Sequence, residues 1–565
     1  MNQPRCSAMV SLVGLLLVAG SNCFVAAQEA SSDMSDKEEA CLALVDTRNL
    51  TILSAKLMSV AGATSQYCYV RGLIPPAIHY HVQFPLPENW NGRFLYWGDG
   101  GTDGDLDFAD TRLAQGYAVT NSNTGHDNGT EPGASFGFNN RQAEIDYGYR
   151  AVHLTVRAAK ILLKAYYGKE PKRSYLDGCS SGGRQGLMAA QRYPADFDGI
   201  VAGHAPFLFQ ARDASNIWIM QRLFRERFAG NLAFDTNGDG TLDSLKKVDI
   251  LREAVLAKCD AKDGIRDGVI QDPLQCKFDP KTDLASKMCP GNVNADACFT
   301  TAQLQTIQDI YGGVRDSKGV LILKGRALGS EFEWAADLIP HAGNSLRPGE
   351  LNYSGDHMNY LFYETDPGVP PSSLTNLSRP PDKTKQPPEF AWWEFNVDDV
   401  TAGRGRFMAS ILDAKDPNLT PFLKDRGGKL IVYHGWGDAQ IPPEPILDYY
   451  QDVVKSTFAG DVNAAREHTR LFMVPGMGHC DGGPGPNTWD RLAPLVDWVE
   501  NGKAPDFLVA THSRASWNAP TTGNTAGTVD NERKICAYPQ RAVYTGPAGG
   551  ENNRANWVQG NFTCR

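Results

Sequence analysis

The 565-residue chain has no excess of positive charge, no C-x-x-C pair and no long uninterrupted apolar run. Its 55 lysines and arginines are outnumbered by 65 aspartates and glutamates, and the formal net charge of −10 argues against a nucleic-acid partner. Because no stretch reaches about 18 uninterrupted apolar residues, we do not expect an integral membrane protein. The missing C-x-x-C spacing argues against a cysteine-bound metal. What is present is 42% apolar residues, enough to bury a substantial core.

The N-terminus has the pattern of a cleaved export signal. Arg5 precedes an apolar run over residues 9–19, and residues 25–27 are small at the positions that a signal peptidase reads. We therefore predict a signal peptide over residues 1–27, no lipid anchor, and a secreted or periplasmic protein. The remaining ten cysteines are an even number, which in an exported chain indicates disulfides. They are Cys41, Cys68, Cys179, Cys259, Cys276, Cys289, Cys298, Cys480, Cys536 and Cys564.

The most informative motif is the G-x-S-x-G sequence at residues 178–182. A strand is expected to end near Leu176 and a helix to continue from Leu187, so the motif lies at a strand–turn–helix corner. Such a corner displays a serine hydroxyl free of its neighbours. The context predicts Ser180 as a nucleophile, with a structural glycine-rich turn as the alternative.

A serine hydroxyl needs a base and a group that orients the base, and both have candidates downstream. Asp438 follows an apolar strand at 429–433, and His479 lies in a glycine-rich corner after a short strand at 471–474. The order serine, aspartate, histidine along the chain is that of an α/β-hydrolase. Other loop acids compete with Asp438, and a structural turn histidine is the alternative for His479.

A glycine-rich loop at 98–104 follows another predicted strand and looks like an oxyanion loop. The expected donors are the backbone N–H of Ser181 and one N–H of this loop, that of Gly101. A simple turn is the alternative.

Cys179 directly precedes the predicted nucleophile and Cys480 directly follows the predicted base. If the serine and the histidine meet, these two cysteines come to a separation that suits a disulfide.

Residues 259–270 contain three aspartates with glycines between them. Clustered acids repel one another unless a hard cation neutralises them, and Ca²⁺ binds carboxylate and backbone oxygens in this way. An acidic surface loop is the alternative. A second acidic loop at 235–243 matches the first half of an EF-hand, but Lys246 occupies the position of the bidentate glutamate, so a second calcium stays open.

The motifs GCSSGG, HGWGD and PGMGHC, together with the acidic segment, resemble those of the tannase and feruloyl esterase family, over nearly the whole mature chain. The resemblance implies structural Ca²⁺ bound by side chains of Asp260, Asp263 and Asp267 and by the carbonyls of Ile265 and Val269. It also implies one disulfide that links the neighbour of the nucleophile to the neighbour of the base, and four further disulfides elsewhere in the chain. The pairs are Cys179 with Cys480, Cys259 with Cys276, Cys289 with Cys298 and Cys536 with Cys564, leaving Cys41 with Cys68.

The expected architecture is an α/β-hydrolase fold with a large inserted lid domain. The hydrolase core is predicted over 28–205 and 417–565, the latter with a C-terminal extension, and the lid with its calcium site over 206–416. Aromatic runs at 359–363 and 390–395 in the lid are predicted to form a pocket for an aromatic acyl group.

The resemblance implies a secreted serine carboxylesterase that hydrolyses esters of hydroxycinnamic or gallic acids, with no organic cofactor. One branch of the family hydrolyses mono(2-hydroxyethyl) terephthalate and is the first alternative, although residues 439–441 lack the phenylalanine of that branch. A non-catalytic, calcium-stabilised binding protein on a hydrolase scaffold is the second. The expected partner is a small aromatic ester, and we expect a monomer or small homo-oligomer.

Overall fold

The computed structural model describes residues 36–59, 66–365, 392, 395–512 and 532–565. The predicted signal peptide at 1–27 and most of the aromatic run at 390–395 lie outside these ranges. Within them, no helix combines the length and the apolar character needed to cross a bilayer.

Fifteen strands occur in the described ranges, and nine of them form one central sheet. In chain order they are β1 (Thr51–Ser59), β2 (Gln66–Ile74), β3 (Ile78–Pro85), β4 (Arg93–Gly98), β5 (Ala118–Ser122), β6 (Arg173–Cys179), β7 (Gly199–Gly203), β8 (Val314–Arg315), β9 (Leu321–Leu323), β10 (Lys429–Gly435), β11 (Thr469–Val474), β12 (Phe507–Thr511), β13 (Glu532–Cys536), β14 (Ala542–Tyr544) and β15 (Phe562–Cys564).

The strand order of the central sheet is β1-β2-β3-β5-β4-β6-β7-β10-β11. The pairs β1/β2, β2/β3 and β3/β5 are antiparallel, and every pair from β5 to β11 is parallel. Parallel strands present their carboxyl ends at one edge of a sheet, so the loops after β4, β6, β7, β10 and β11 emerge together. This is the mixed sheet of an α/β-hydrolase, as predicted.

The described residues contain sixteen α-helices, which surround the sheet or build the insertion. They are α1 (36–42), α2 (Asp110–Ala114), α3 (Arg141–Ile145), α4 (Ala151–Tyr167), α5 (Ser181–Arg192), α6 (Phe209–Phe228), α7 (Lys246–Cys259), α8 (Pro280–Asp283), α9 (Thr301–Gly312), α10 (Glu331–Asp337), α11 (Gly349–Tyr360), α12 (Asp398–Thr401), α13 (Arg406–Leu412), α14 (Glu444–Phe458), α15 (Val462–Arg466) and α16 (Leu492–Asn501).

Helix α4 precedes β6 along the chain and follows a short helical turn of a different type. The segment Asp146–Arg150 is a π-helical turn, and the α-helix begins at Ala151. The apolar side chains on one face of α4, including Leu162 and Leu163, are buried against the sheet. The helix ends at Gly168, whose φ of 72° suits a residue without a Cβ.

The insertion between β7 and β10 has a hydrophobic core of its own, which includes Trp334 and Phe299. Residues of both predicted aromatic runs are buried in hydrophobic clusters. Phe362, Trp392 and Phe395 pack in the insertion core, and Tyr360 packs with other aromatic rings in a smaller cluster. These side chains therefore stabilise the insertion itself.

Five disulfides pair all ten cysteines of the described chain, in the same pairs that the family resemblance implies. In the C-terminal region, the hairpin β14/β15 is joined to β13 through Cys536 and Cys564. Ile265 of the acidic segment packs against Trp557 and Phe562 of this region. The C-terminal region thus covers one side of the acidic segment.

Candidate active site

Ser180 lies at a sharp turn between β6 and α5. Its φ of 58° and ψ of −126° are unusual for a residue with a side chain, and its N–H donates to the carbonyl of Gly203 (2.9 Å). The turn requires glycine at Gly182, where an added Cβ would lie 2.6 Å from the carbonyl carbon of Gly98. The strained turn lifts the serine side chain above the sheet edge.

The structure brings Ser180, His479 and Asp438 together, although they are far apart in the sequence. The Ser180 hydroxyl donates to His479 Nε2 (2.9 Å) and His479 Nδ1–H donates to Asp438 Oδ2 (2.9 Å). A carboxylate only accepts, so Asp438 fixes this tautomer of the imidazole. The arrangement is that of a serine, a base and an orienting acid.

Electrostatics favour the ion pair between Asp438 and His479. Burial alone would raise the pKa of Asp438, but the His479 imidazole and hydrogen bonds from three histidines hold this pKa well below its ordinary value. Burial likewise opposes protonation of His479, yet the charge and hydrogen bond of Asp438 raise its pKa above the ordinary value. The backbone N–H groups of Gln440 and Ile441 donate to Asp438 Oδ1 (2.9 and 2.8 Å) and fix the carboxylate.

The loop after β4 lies directly beside the serine. The carbonyl of Gly101 accepts hydrogen bonds from Ser181 Oγ (2.6 Å) and Tyr147 OH (3.0 Å). The backbone N–H groups of Gly101 and Ser181 donate no hydrogen bond to any described residue. Both predicted oxyanion donors therefore remain available to a ligand.

Cys179 and Cys480 join the turn that carries Ser180 to the loop that carries His479. Their Cα atoms lie 6.0 Å apart, within the usual range for a disulfide. The bond spans 301 residues of sequence. It therefore links the two loops whose side chains exchange the 2.9 Å hydrogen bond.

A cavity of about 300 Å³ opens at Ser180 and His479. The aromatic side chains that line it are Trp97 of β4, Phe209 of α6 and Tyr353 of α11. The aromatic runs predicted for this role contribute only Leu361, so that prediction is wrong for the described residues. The physical reason is that the aromatic rings of those runs fill the core of the insertion.

Comparisons with known proteins agree with this geometry. The sequence profile of the family "Tannase and feruloyl esterase" matches residues 63–557. The chain belongs to the tannase and feruloyl esterase family. It is 31% identical to a mono(2-hydroxyethyl) terephthalate hydrolase of Piscinibacter sakaiensis over 553 residues, which cover 89% of this chain and 86% of the relative. It is also 31% identical to a probable feruloyl esterase B-1 of Aspergillus flavus over 478 residues, covering 82% and 80%.

Among solved structures, an esterase from Aspergillus oryzae superposes with a TM-score of 0.75 at 25% identity. The superposition covers 94% of this chain and 100% of that one. The fold is therefore an α/β-hydrolase fold with an inserted domain, and this member of the family is a carboxylic ester hydrolase of the feruloyl esterase and tannase type.

His204 is a site residue of this esterase that sequence reasoning missed. It follows β7 directly and is fully buried, and its Nδ1–H donates to Asp438 Oδ2 (2.7 Å). Its Nε2 accepts from the N–H of Gly435 (3.2 Å), which fixes the tautomer. Burial lowers the pKa of His204 to about 3, so the ring is neutral. The one signal in the sequence is that His204 directly follows a short apolar strand, as His479 does a few residues after its own strand.

Glu333 of the insertion was also missed. Its carboxyl group accepts hydrogen bonds from the N–H of His479 (2.8 Å) and the N–H of Ala439 (2.9 Å). Burial, together with the neighbouring carboxyl groups, raises its pKa well above the ordinary value. One side chain of the insertion thus joins the loops that carry the base and its acid.

The predicted calcium segment holds its carboxyl groups close together. Asp263 is buried, and its Oδ2 has no hydrogen-bond partner among the described residues. Burial raises the pKa of Asp263 to about 7, although Arg533 opposes this. Arg533 forms an ion pair with Asp267 and lies 3.6 Å from Asp263 Oδ2. Arg533 thus brings a positive charge from β13 to two of the three aspartates.

The backbone of the segment adds acceptors to these carboxyl groups. Ile265 and Val269 are each 1% exposed, and their carbonyls accept no hydrogen bond from the described chain. Asp260 accepts from the N–H groups of Asp267 (3.2 Å) and Gly268 (3.1 Å), which curls the segment around its acids. Unpaired buried carbonyls beside carboxylates are the donor set that a hard cation takes. In the second acidic loop, by contrast, Asp235 is half-buried and accepts hydrogen bonds from the backbone N–H groups of Gly238 and Gly240 in its own loop.

Proposed function

We propose that this protein is an exported serine esterase that hydrolyses esters of aromatic acids of the hydroxycinnamic or gallic type through an acyl-enzyme. The observation that carries the proposal is the hydrogen-bonded chain from Ser180 through His479 to Asp438 at the mouth of an aromatic-lined cavity. Five disulfides support export, since such bonds persist in oxidising compartments.

In the acylation step, Ser180 Oγ attacks the ester carbonyl carbon while His479 Nε2 takes the hydroxyl proton. The carbonyl oxygen becomes an oxyanion, which the backbone N–H groups of Gly101 and Ser181 stabilise. The tetrahedral intermediate then breaks its bond to the alcohol oxygen, and His479 returns the proton to that oxygen. The alcohol leaves and the acyl group stays on Ser180.

In the deacylation step, water takes the place of the alcohol. His479 removes one proton from the water as its oxygen attacks the acyl carbon, and the same two N–H groups stabilise the second oxyanion. Collapse of this intermediate breaks the bond to Ser180 Oγ, which recovers its proton from His479. The free acid leaves, and Asp438 stabilises the imidazolium in both steps.

Phe209, Tyr353 and Trp97 support an aromatic acyl group, because flat rings bury well against aromatic walls. Ile441 lines the cavity, whereas the terephthalate branch is expected to have a phenylalanine in this loop. Arg212 also lines the cavity, but it already pairs with Asp213 and Glu350. The balanced charge of this arginine favours a neutral acyl group over a terephthalate carboxylate.

A panel of esters tests the proposal. We expect hydrolysis of methyl ferulate or methyl gallate with a kcat/KM above that for mono(2-hydroxyethyl) terephthalate, measured by chromatography of the released acids. Fastest turnover of the terephthalate ester would favour the first alternative. No turnover of any of these esters or of p-nitrophenyl acetate would leave only the non-catalytic binding protein.

His204 is proposed to position Asp438. Replacing His204 by alanine removes one donor to the carboxylate, and a hydrogen bond to a charged group contributes about 1.5 to 3 kcal/mol. We expect kcat/KM to fall about tenfold, since about 1.4 kcal/mol is a factor of ten in rate. Without the hydrogen bond from His204, the negative charge of Asp438 acts more strongly on His479 and raises the pKa of His479 further. The base then becomes protonated at a higher pH, and the acid limb of the pH profile moves upward.

His204→Asn is the rescue variant, because its amide N–H can occupy the place of Nδ1–H. His153→Ala is the matched control, since His153 also bonds an aspartate, Asp196 (2.8 Å), outside the site. An unchanged pH profile in His204→Ala, with kcat/KM lowered only in proportion to unfolding, would reduce His204 to a packing residue.

We further propose structural Ca²⁺ in the segment 259–270. Side chains of Asp260, Asp263 and Asp267 would hold it with the carbonyls of Ile265 and Val269. The unpaired Asp263 oxygen and the two unpaired carbonyls support this donor set. When bound, the ion supplies positive charge that holds the segment against the C-terminal region.

Chelation should therefore lower the melting temperature. A ligand present at a hundred times its Kd stabilises the folded state by about 2.7 kcal/mol. We expect EGTA to lower the melting temperature of the wild type and to leave that of Asp263→Ala unchanged, as measured by calorimetry. Asp46→Ala, at an exposed aspartate, should respond to EGTA as the wild type does. Equal responses of both variants, or purified protein free of calcium, would contradict the site.

A further inference from the structure

The two oxyanion donors of the proposed mechanism belong to residues that a side-chain hydrogen bond joins. Gly101 and Ser181 both line the cavity at Ser180. The Ser181 hydroxyl donates to the carbonyl oxygen of Gly101 (2.6 Å), and Ser181 is only 2% exposed. Ser181 therefore offers its own N–H to the site and, through its side chain, holds the residue that offers the other N–H.

A second hydroxyl, that of Tyr147, reaches the same carbonyl. The Tyr147 hydroxyl donates to the Gly101 oxygen (3.0 Å), and its own oxygen lies 3.3 Å from Ser181 Oγ. Burial raises the pKa of Tyr147, so the phenol keeps its proton and remains a donor. A carbonyl oxygen has two lone pairs and can accept both hydrogen bonds. Two hydroxyl groups from different elements thus converge on one backbone oxygen.

These contacts fix the conformation of Gly101 on one side, and a backbone contact fixes it on the other. The peptide unit that contains the Gly101 N–H also contains the Gly100 carbonyl, which accepts from the N–H of Asp103 (3.1 Å). The next peptide unit contains the Gly101 carbonyl. Each unit is planar, so holding both carbonyls holds the φ of 61° at Gly101. Glycine changes φ and ψ easily, so the direction of this N–H depends on such contacts.

Tyr147 is itself held in place by the fold. It is 1% exposed and lies in the π-helical turn Asp146–Arg150, a feature that is frequent at functional sites. The Arg184 guanidinium lies over its ring, 4.7 Å from the centroid, and donates to the Tyr147 carbonyl (3.1 Å). Phe136 packs on the same ring, with centroids 5.1 Å apart. The hydroxyl therefore reaches Gly101 from a side chain that is already ordered.

We propose that the hydroxyl groups of Tyr147 and Ser181 position the N–H of Gly101 for the oxyanion. Both are positioning residues, because their hydroxyls act through the backbone of Gly101. An oxyanion site is effective when its donors already point to the place where negative charge develops, and loss of one donor lowers kcat about 10²- to 10³-fold. This inference rests on the proposed esterase function and adds two side chains to its machinery.

Tyr147→Phe and Ser181→Ala each remove one of the two hydroxyls and leave the other. We expect each to lower kcat on methyl ferulate about tenfold, a part of the loss that removal of a whole donor causes. The double variant should lose about 10²-fold or more, since neither hydroxyl then holds the carbonyl. KM should stay unchanged, because the oxyanion exists only after the serine attacks. The acid limb of the pH profile should also stay in place, because neither substitution changes a charge near His479.

Tyr167→Phe is the matched control. The Tyr167 hydroxyl also donates to a backbone carbonyl, that of Pro85 (2.7 Å), but outside the site. This variant should retain the wild-type kcat, with rates referred to the folded fraction from circular dichroism. An unchanged kcat in the double variant, a rise in KM that accounts for its loss of kcat/KM, or a shifted acid limb would overturn the inference and leave the esterase intact. Absence of ester hydrolysis by the wild type would instead refute the proposed function.

Discussion

Ser180→Ala should retain the fold and lose nearly all esterase activity, about 10⁴-fold or more in kcat. Without Oγ no acyl-enzyme can form, and only the oxyanion donors and substrate binding remain. The side chain makes one hydrogen bond within the described chain, to His479, so its removal should barely alter stability. Initial rates on methyl ferulate and thermal melting would measure the two effects separately.

The double variant Ser180→Ala with His479→Ala should be little slower than either single variant, because the two residues act as a unit. Ser286→Ala, at an exposed serine of the insertion, is the matched control and should retain full activity. If Ser180→Ala is folded and keeps a kcat near the wild-type value, Ser180 is not the nucleophile.

Loss of the bond between Cys179 and Cys480 should have the second largest effect, and it should lower activity before stability. The disulfide holds the His479 loop to the Ser180 turn, and a misplacement of about 1 Å can cost about 10²-fold in rate. Removing a disulfide typically costs about 2 to 4 kcal/mol of stability. We expect Cys179→Ala with Cys480→Ala to lower kcat about 10²-fold at temperatures where circular dichroism shows folded protein.

The matched control is the pair Cys289→Ala with Cys298→Ala, which removes a disulfide of the insertion whose cysteines are nine residues apart. It should lower the melting temperature without a comparable loss of kcat. Equal losses of kcat in the two double variants would show that the Cys179–Cys480 bond stabilises the fold and does not position the site.

Much of the fold and of the candidate site could be predicted because the signals are local. Ser180, Asp438 and His479 each follow a short apolar strand, and parallel strands bring their carboxyl ends to one edge. A glycine-rich turn around a serine is recognisable within five residues. The tertiary structure was needed only to measure the distances between these side chains.

The remainder depends on contacts that no local pattern encodes. His204 bonds Asp438 across 234 positions of sequence, and Glu333 reaches His479 across 146. The aromatic runs were misleading, because a run of aromatic residues indicates burial but does not indicate whether the rings pack in a core or line a cavity. Phe209 and Tyr353 line the cavity as single aromatic residues on α6 and α11, and their role appears only when the two helices pack together.

The central claim, an aromatic acyl group carried on Ser180, is tested most directly by mass spectrometry of the reacting enzyme. The p-nitrophenyl ester of ferulic acid has a good leaving group, so deacylation should limit turnover. A burst of p-nitrophenol should then accompany accumulation of the acyl-enzyme. Acid quenching and peptide mapping should then locate a feruloyl group on the peptide that contains Ser180, disappearing once substrate is consumed. A feruloyl group on any other residue, or steady turnover with a burst and no modified Ser180, would contradict the account.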